Sequence, residues 1–253
     1  MAVLGIDFGG SGIKGALVDE NTGEMISERF RLPTPDLAKP DDVADVIRQI
    51  AQNFNYQGPI GVGLPAVILH GVVFTAANID PSWIGVNAEK LFGKVTGCPC
   101  FVVNDADAAG VAEMSYGVGR LNQKGVVLFL TIGTGIGSAI FIDGILLPNT
   151  ELGHIEVRGK DAEKRASDAV RKKKEYTWPE WAVKLQEILS RLEVLFWPDL
   201  IVLGGGVSKD WENYLPLINL RAKVLPASLL NQAGIVGAAI YALQQVKRQT
   251  LST

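Results

Sequence analysis

Two stretches of this chain follow one plan. IDFGGSGIKGAL (residues 6–17) and LTIGTGIGSAI (130–140) each run from an apolar strand through a polar residue into glycines, then into a second strand. Asp7 and Thr131 hold matching places, and the second turn is one residue shorter. The echo predicts a duplicated fold with one hairpin per half, the halves facing each other across a cleft. Glycine lets successive backbone N–H groups converge without a Cβ in the way, so each turn is suited to hold one side of the same phosphate chain. The plain alternative is a pair of tight hairpin turns, with Lys14 an exposed strand lysine. Two phosphate motifs are excluded. In a P-loop the lysine follows glycine and precedes Ser or Thr, and Lys14 does neither. The dinucleotide fingerprint needs glycine at 138, where Ser138 stands.

Around these hairpins the pattern alternates. AVLGI (2–6), IKGALVD (13–19) and ISERFRL (26–32) read as an antiparallel meander. DDVADVIRQIAQNF (41–54) has helical spacing and opens on capping aspartates. IGVGL (60–64) and CFVVN (100–104) read as buried parallel strands. VVLFLTI (126–132) and SAIFI (138–142) open the second half. Thr177 and Glu180 form a capping box with Pro179 in the first turn, starting a helix with Trp181, Leu185, Ile188, Leu189, Leu192 and Phe196 on one face. That face suits a core or a dimer interface equally. LIVLGGG (200–206) is a strand running into glycines, and AGIVGAAIYAL (233–243) is an apolar helix. The class is α/β. The expected division is a small domain at 1–106 and a larger one at 107–253, with a helix at about 234–248 packing back on the first.

At 253 residues, 47% hydrophobic, the chain can build real cores. A net charge of -3 argues against a dedicated nucleic-acid binder. No apolar run approaches the roughly 20 residues of a membrane span, and MAVLGID has no signal-peptide pattern. Cys98 and Cys100 read as ordinary thiols, since two thiolates alone cannot complete a zinc site. The expectation is a soluble protein of the cytoplasm.

VVNDADAAG (102–110) puts Asn104 and Asp105 just past a strand end, where ligands gather in α/β sheets. Asp105 also suits the N-cap of the helix that follows. TELGHIE (150–156) puts Glu151 and His154 three apart, while His70 reads as a turn residue. Amides, carboxylates and imidazole are what a polyol requires, because every sugar hydroxyl both donates and accepts.

DFGGSGIKG, GLPA (63–66), NDADAAG, TIGTGIGS, ELGH and LGGGVS (203–208) stand in the order found in ROK-family sugar kinases, of the actin and hexokinase superfamily, and the chain resembles them over nearly its whole length. No helix-turn-helix segment precedes the match, as it does in the family's repressors. One departure matters: the cysteine cluster that usually follows ExGH is missing, which implies no structural zinc and leaves His154 for the sugar. AANIDPSWIG (76–85), PNTELGH and WPDLIVLGGG make the chain look like the family's polyphosphate glucokinases.

The resemblance implies an actin/hexokinase-like (ribonuclease H-like) fold of two duplicated mixed sheets, and a kinase that phosphorylates the glucose 6-hydroxyl. Asp105 would be the general base and would orient the nucleophile. Pro65, Asn78, Asn104, Asp105, Glu151, His154 and Glu163 would hold glucose, Glu163 by an alignment across the missing segment. Gly9, Gly10, Ser11, Gly12, Lys14, Thr131, Gly133, Thr134 and Gly135 would cradle phosphates, and Asp7 would position Mg²⁺ through water. The donor would be inorganic polyphosphate, with ATP left open by the turn at Gly204 and Gly205. A homodimer is implied too. KRASDAVRKKK (164–174) carries six basic residues in eleven, readable as a solvated face or as a track for a long polyanion. The competing readings are an ATP-dependent hexose kinase of the same fold and a non-catalytic sugar sensor.

Overall fold

Strand β1 (Ala2–Gly9) buries Val3, Leu4, Ile6 and Phe8 because it runs through the middle of its sheet. The computed structural model describes residues 1–251 and divides into two units, Met1–Ala112 with Gln232–Thr253, and Glu113–Asn231. In the first, β1 pairs antiparallel with β2 (Gly12–Asp19), and β2 with β3 (Phe30–Leu32). On its other side β1 pairs parallel with β4 (Ile60–Leu64), and β4 with β7 (Cys100–Asn104), giving the order β3-β2-β1-β4-β7. A small hairpin, β5 (Ile68–Leu69) and β6 (Val72–Val73), turns through His70 and Gly71, both at positive φ. Helices α1 (Pro40–Asn53) and α2 (Ala88–Thr96) share a core with the sheet around Ile47, Ile50, Trp83 and Phe92. Helix α3 (Asp105–Ser115) follows β7 without a loop, and its first eight residues lie in this unit.

The second unit repeats the design. Strands β8 (Val126–Ile132), β9 (Ile136–Ile142) and β10 (Ile145–Leu147) form a meander. A minor hairpin, β11 (Glu156–Val157) with β12 (Lys160–Asp161), leads to helices α4 (Glu163–Ala166) and α5 (Asp168–Lys173), then to the long α6 (Trp178–Phe196). β13 (Leu200–Gly204) joins β8 in parallel and β14 (Lys223–Pro226) joins β13, so the order β10-β9-β8-β13-β14 matches that of the first sheet strand for strand. The twin glycine turns therefore sit at the same place in two copies of one topology.

The last helix, α7 (Ala233–Leu251), lies on the first sheet, and glycines allow the approach. A Cβ on Gly5 would stand 2.0 Å from the Ile235 carbonyl oxygen, and one on Gly61 1.8 Å from that of Ala238. The expected cut at residue 106 thus falls inside the first unit, whose stretch ends at Ala112, and α7 belongs to that unit.

Several local expectations change. The third strand starts at Phe30 rather than at 26, because the Ser27 hydroxyl takes the Leu17 N–H (2.9 Å) that a strand carbonyl would accept. Asp41 and Asp42 do not cap α1. Pro40 opens it behind Lys39, and the two carboxylates sit in the first turn, where the helix dipole favours them. The capping box of α6 forms, with the Glu180 carboxylate accepting from the Thr177 N–H (2.9 Å). Its face of Trp181, Leu185, Ile188, Leu189 and Leu192 is core, and Phe196 packs beside it. Cys98 and Cys100 are buried free thiols, and burial pushes Cys100 up to about 11.

Candidate functional site

The first glycine turn joins β1 to β2, with Gly9 opposite Gly12. Arg31 on β3 donates to the Ser11 carbonyl (2.7 Å), and the Thr34 hydroxyl to that of Gly9 (2.6 Å). Asp7 and Lys14 are cross-strand partners, and Lys14 Nζ lies 2.9 Å from Asp7 Oδ2. The two residues therefore hold each other at the mouth of the turn. On its other flank the Asp7 carboxylate meets the first turn of α7, where a Cβ on Gly234 would stand 2.9 Å from Asp7 Cγ. The start of a helix brings unpaired N–H groups and the positive end of the dipole, both suited to a carboxylate. Mg²⁺ usually takes one or two protein carboxylates along with phosphates and waters, and this single carboxylate beside a phosphate-type turn fits that habit.

The second turn joins β8 to β9. The Gly133 N–H donates to the Gly135 carbonyl (3.0 Å), and the Gly133 carbonyl accepts from the Ala169 N–H at the start of α5 (3.1 Å). Gly10 in the first turn and Gly133 in the second have nothing within 4 Å of where a Cβ would be, and neither needs positive φ. No internal packing explains why they are glycines. Gly206, at the end of the LGGGVS turn, is open in the same way. Gly204 and Gly205 are different. A Cβ on Gly204 would stand 2.9 Å from the Phe129 ring, and Gly205 lies at φ 79° with the Ile132 backbone at 2.5 Å. Those two glycines are explained by packing against β8.

Asn104 ends β7 and is buried, while Asp105 next to it is exposed. Asn104 Oδ1 accepts from the N–H groups of Ala106 (2.8 Å) and Asp107 (3.2 Å), and its Nδ2 donates to the Ala66 carbonyl (3.1 Å). Asn104 is thus the cap of α3, and Asp105, expected as a cap, is the first helical residue. The Ala66 carbonyl is the one acceptor of the Asn104 Nδ2 group among the described residues. The Ala66 contact ties the Pro65 loop to the strand end that presents Asp105. Asn78 is exposed on the loop before Pro81.

β9 builds the ELGH segment as well as the second turn. Ser138 is buried, donates to the Thr150 carbonyl (2.6 Å) and accepts from the Leu152 N–H (2.9 Å). Gly153 allows the approach, since a Cβ there would stand 2.1 Å from the Ile136 carbonyl oxygen. His154 Nε2 lies 3.9 Å from Glu151 Oε2, and its Nδ1 lies 3.7 Å from Asp161 Oδ2. Burial raises the Glu151 carboxyl above the usual range; His154 opposes that shift and Glu163 adds to it. Glu163 reaches the glycine turn itself, its Oε2 only 2.6 Å from where a Gly135 Cβ would be. The residue aligned only across a gap is thus beside Gly135 in space. His154, Asp161 and Glu163 stand close enough to share a cation, although Lys164 already lies 2.7 Å from Asp161.

The basic run resolves into two groups. Lys164 pairs with Asp161, Arg165 with Glu187, and both Arg171 and Lys172 with the buried Asp168. Arg171 also lies over the Trp178 ring at 3.9 Å. Only Lys173 and Lys174 of the six lack an ion pair among the described residues. Arg31 and Gly234 were not singled out in the sequence, and Gly206 was read only as part of the LGGGVS turn. Arg31 sits on the short edge strand β3, whose start the sequence misplaced, and a glycine in a helix start has no signature of its own.

The model of the ROK family matches residues 3–169. A polyphosphate glucokinase of Mycobacterium tuberculosis is 50% identical over 94% of this chain and 89% of its own. The crystal structure of an inorganic polyphosphate/ATP-glucomannokinase from Arthrobacter sp. strain KM superposes with a TM-score of 0.90, at 47% identity, covering 96% of this chain and 99% of that one. A ROK-family glucokinase from Streptomyces griseus, solved with glucose and AMPPNP, matches at 25% identity and a TM-score of 0.82, over 96% and 100% of the two chains.

Proposed function

The chain belongs to the ROK family, and on that premise we propose that it phosphorylates the 6-hydroxyl of glucose with inorganic polyphosphate as donor. The observation that carries this reading is the 50% identity to a polyphosphate glucokinase across almost the whole of both chains. The enzyme is a kinase with the actin/hexokinase-like fold.

Phosphoryl transfer needs an aligned acceptor and neutralised charge on the transferring oxygens. Asp105, exposed at the tip of the Asn104-capped helix, takes the hydroxyl proton and orients the nucleophile. A carboxylate suffices for this because the proton leaves late in a loose transition state. Asn104, Glu151, His154 and Glu163 hold sugar hydroxyls, with the Pro65 loop and Asn78 closing over the sugar. The turns at Gly9–Gly12 and Gly133–Gly135, with Ser11, Thr131, Thr134 and Lys14, bind the donor phosphates. Asp7 would hold the divalent ion, which we assign as Mg²⁺, and the ion would supply positive charge to the phosphate oxygens. Homodimer formation and a cytoplasmic location belong to the same proposal.

A second donor, ATP, is favoured by the open Gly206 on a turn packed beside the second glycine hairpin, and the relative of known structure is described as using both. The test is glucose 6-phosphate formation by pure enzyme with Mg²⁺, supplied separately with nucleotide-free polyphosphate and with ATP. Turnover with polyphosphate supports the reading. Turnover with ATP alone replaces it with an ATP-dependent hexose kinase.

A further inference from the structure

Three side chains form a row across the first sheet. In register, Asp7 on β1 stands opposite Lys14 on β2, and Lys14 opposite Arg31 on β3. Residues directly opposite in a sheet share a face, so carboxylate, ammonium and guanidinium line up beside the first glycine turn. Lys14 is spent on Asp7 at 2.9 Å. Arg31 makes no ion pair among the described residues, and its Nη2 reaches the tip of the turn at the Ser11 carbonyl, 2.7 Å away. Gly12 makes room for it: a Cβ there would stand 2.4 Å from Arg31 Nε and 2.7 Å from Cζ. The turn is therefore built around a guanidinium whose charge no ion pair among the described residues neutralises.

From this geometry we infer that Arg31 is a binding residue for the donor's phosphoanhydride chain at the first glycine turn. The inference rests on the polyphosphate reading above and adds a residue to it. A guanidinium has five N–H donors in a planar fork, and the contact to Ser11 leaves most of them for phosphate oxygens. The row then has a division of labour. Lys14 balances Asp7, and Arg31 supplies the net positive charge that a polyanion requires. The run at 164–174 is the poorer candidate for that task, because four of its six cations are already paired with Asp161, Asp168 and Glu187. Arg31 lies on an edge strand and is exposed, so its replacement leaves the core untouched.

The experiment measures the KM for long-chain polyphosphate at several salt concentrations in wild type, Arg31→Gln, Arg31→Lys, and the double variant Lys173→Gln/Lys174→Gln. In Arg31→Gln the KM should rise about tenfold at ~0.1 M salt, and the slope of log KM against log salt should fall by about 0.7, the share of one phosphate contact on a single-stranded polyanion. Arg31→Lys should keep the slope, because the charge remains, and the double variant should keep both slope and KM. A brace acting only through Ser11 would leave the slope of Arg31→Gln at the wild-type value, which overturns the assignment. Protection gives a readout without substitution: polyphosphate should slow phenylglyoxal modification of Arg31 in the native protein, and an unchanged rate overturns the assignment. Absence of any polyphosphate turnover by wild type would overturn the donor reading itself, and this contact with it.

Discussion

The Asp7 carboxylate lies in the space that a side chain at Gly234 would fill, with Asp7 Cγ 2.9 Å from the position of a Cβ there. These residues are more than two hundred positions apart, and their contact places α7 behind the strand that leads into the first glycine turn. Gly234→Ala should leave folding intact, since alanine improves helix propensity by up to about 1 kcal/mol. It should displace the carboxylate and lower kcat by roughly 10- to 100-fold, the scale of a 1 Å error in positioning. Parallel melting curves and Mg²⁺ titrations of activity check this. An unchanged Mg²⁺ requirement would remove Asp7 from the metal's environment.

Asp105 and Asn104 should separate chemistry from architecture. Asp105→Asn keeps the helix start and should reduce kcat by about 10²- to 10⁴-fold with glucose affinity nearly unchanged. Asn104→Ala loses a cap worth about 1 kcal/mol and leaves the Ala66 carbonyl without its partner, so it should lower thermal stability as well as activity. Calorimetric glucose binding and thermal unfolding of both variants provide the comparison. Loss of glucose binding in Asp105→Asn would make Asp105 a structural residue.

Burial raises the Glu151 carboxyl, so the acid limb of kcat/KM for glucose should lie above the ordinary glutamate value if the ionised form accepts a sugar hydroxyl. The stability effect has the opposite sense. A carboxyl whose folded pKa is raised favours folding while protonated, and that benefit is lost as pH rises through the folded value. Glu151→Gln should therefore gain melting temperature over wild type at neutral pH and show no gain below the ordinary carboxylate range, while losing the acid limb. A limb that persists in the variant belongs to another group.

The glycines should divide by cause. Gly205→Ala meets the Ile132 backbone at 2.5 Å with φ at 79°, and should destabilise the protein by roughly 1 kcal/mol or more. Gly133→Ala has open space and ordinary φ, so stability should hold while the donor KM rises. Equal melting losses in the two would mean that Gly133 is as structural as Gly205.

The duplicated hairpins, the class of fold, the parallel strands at 60–64 and 100–104 and the capping box of α6 were legible in the sequence. Each depends on neighbours a few residues apart, where periodicity, glycine spacing and cap chemistry act. The ROK motifs belong to the same local order. What only the tertiary structure decided were contacts between distant segments. It placed Gly234 against Asp7, Arg31 on the Ser11 turn and Glu163 beside Gly135. It gave the capping of α3 to Asn104, whose other hydrogen bond reaches Ala66 thirty-eight residues earlier. It paired four of the six cations of the basic run with Asp161, Asp168 and Glu187. Local pattern follows from backbone geometry and nearest neighbours, whereas a charge's partner and a glycine's reason depend on what folding brings beside them.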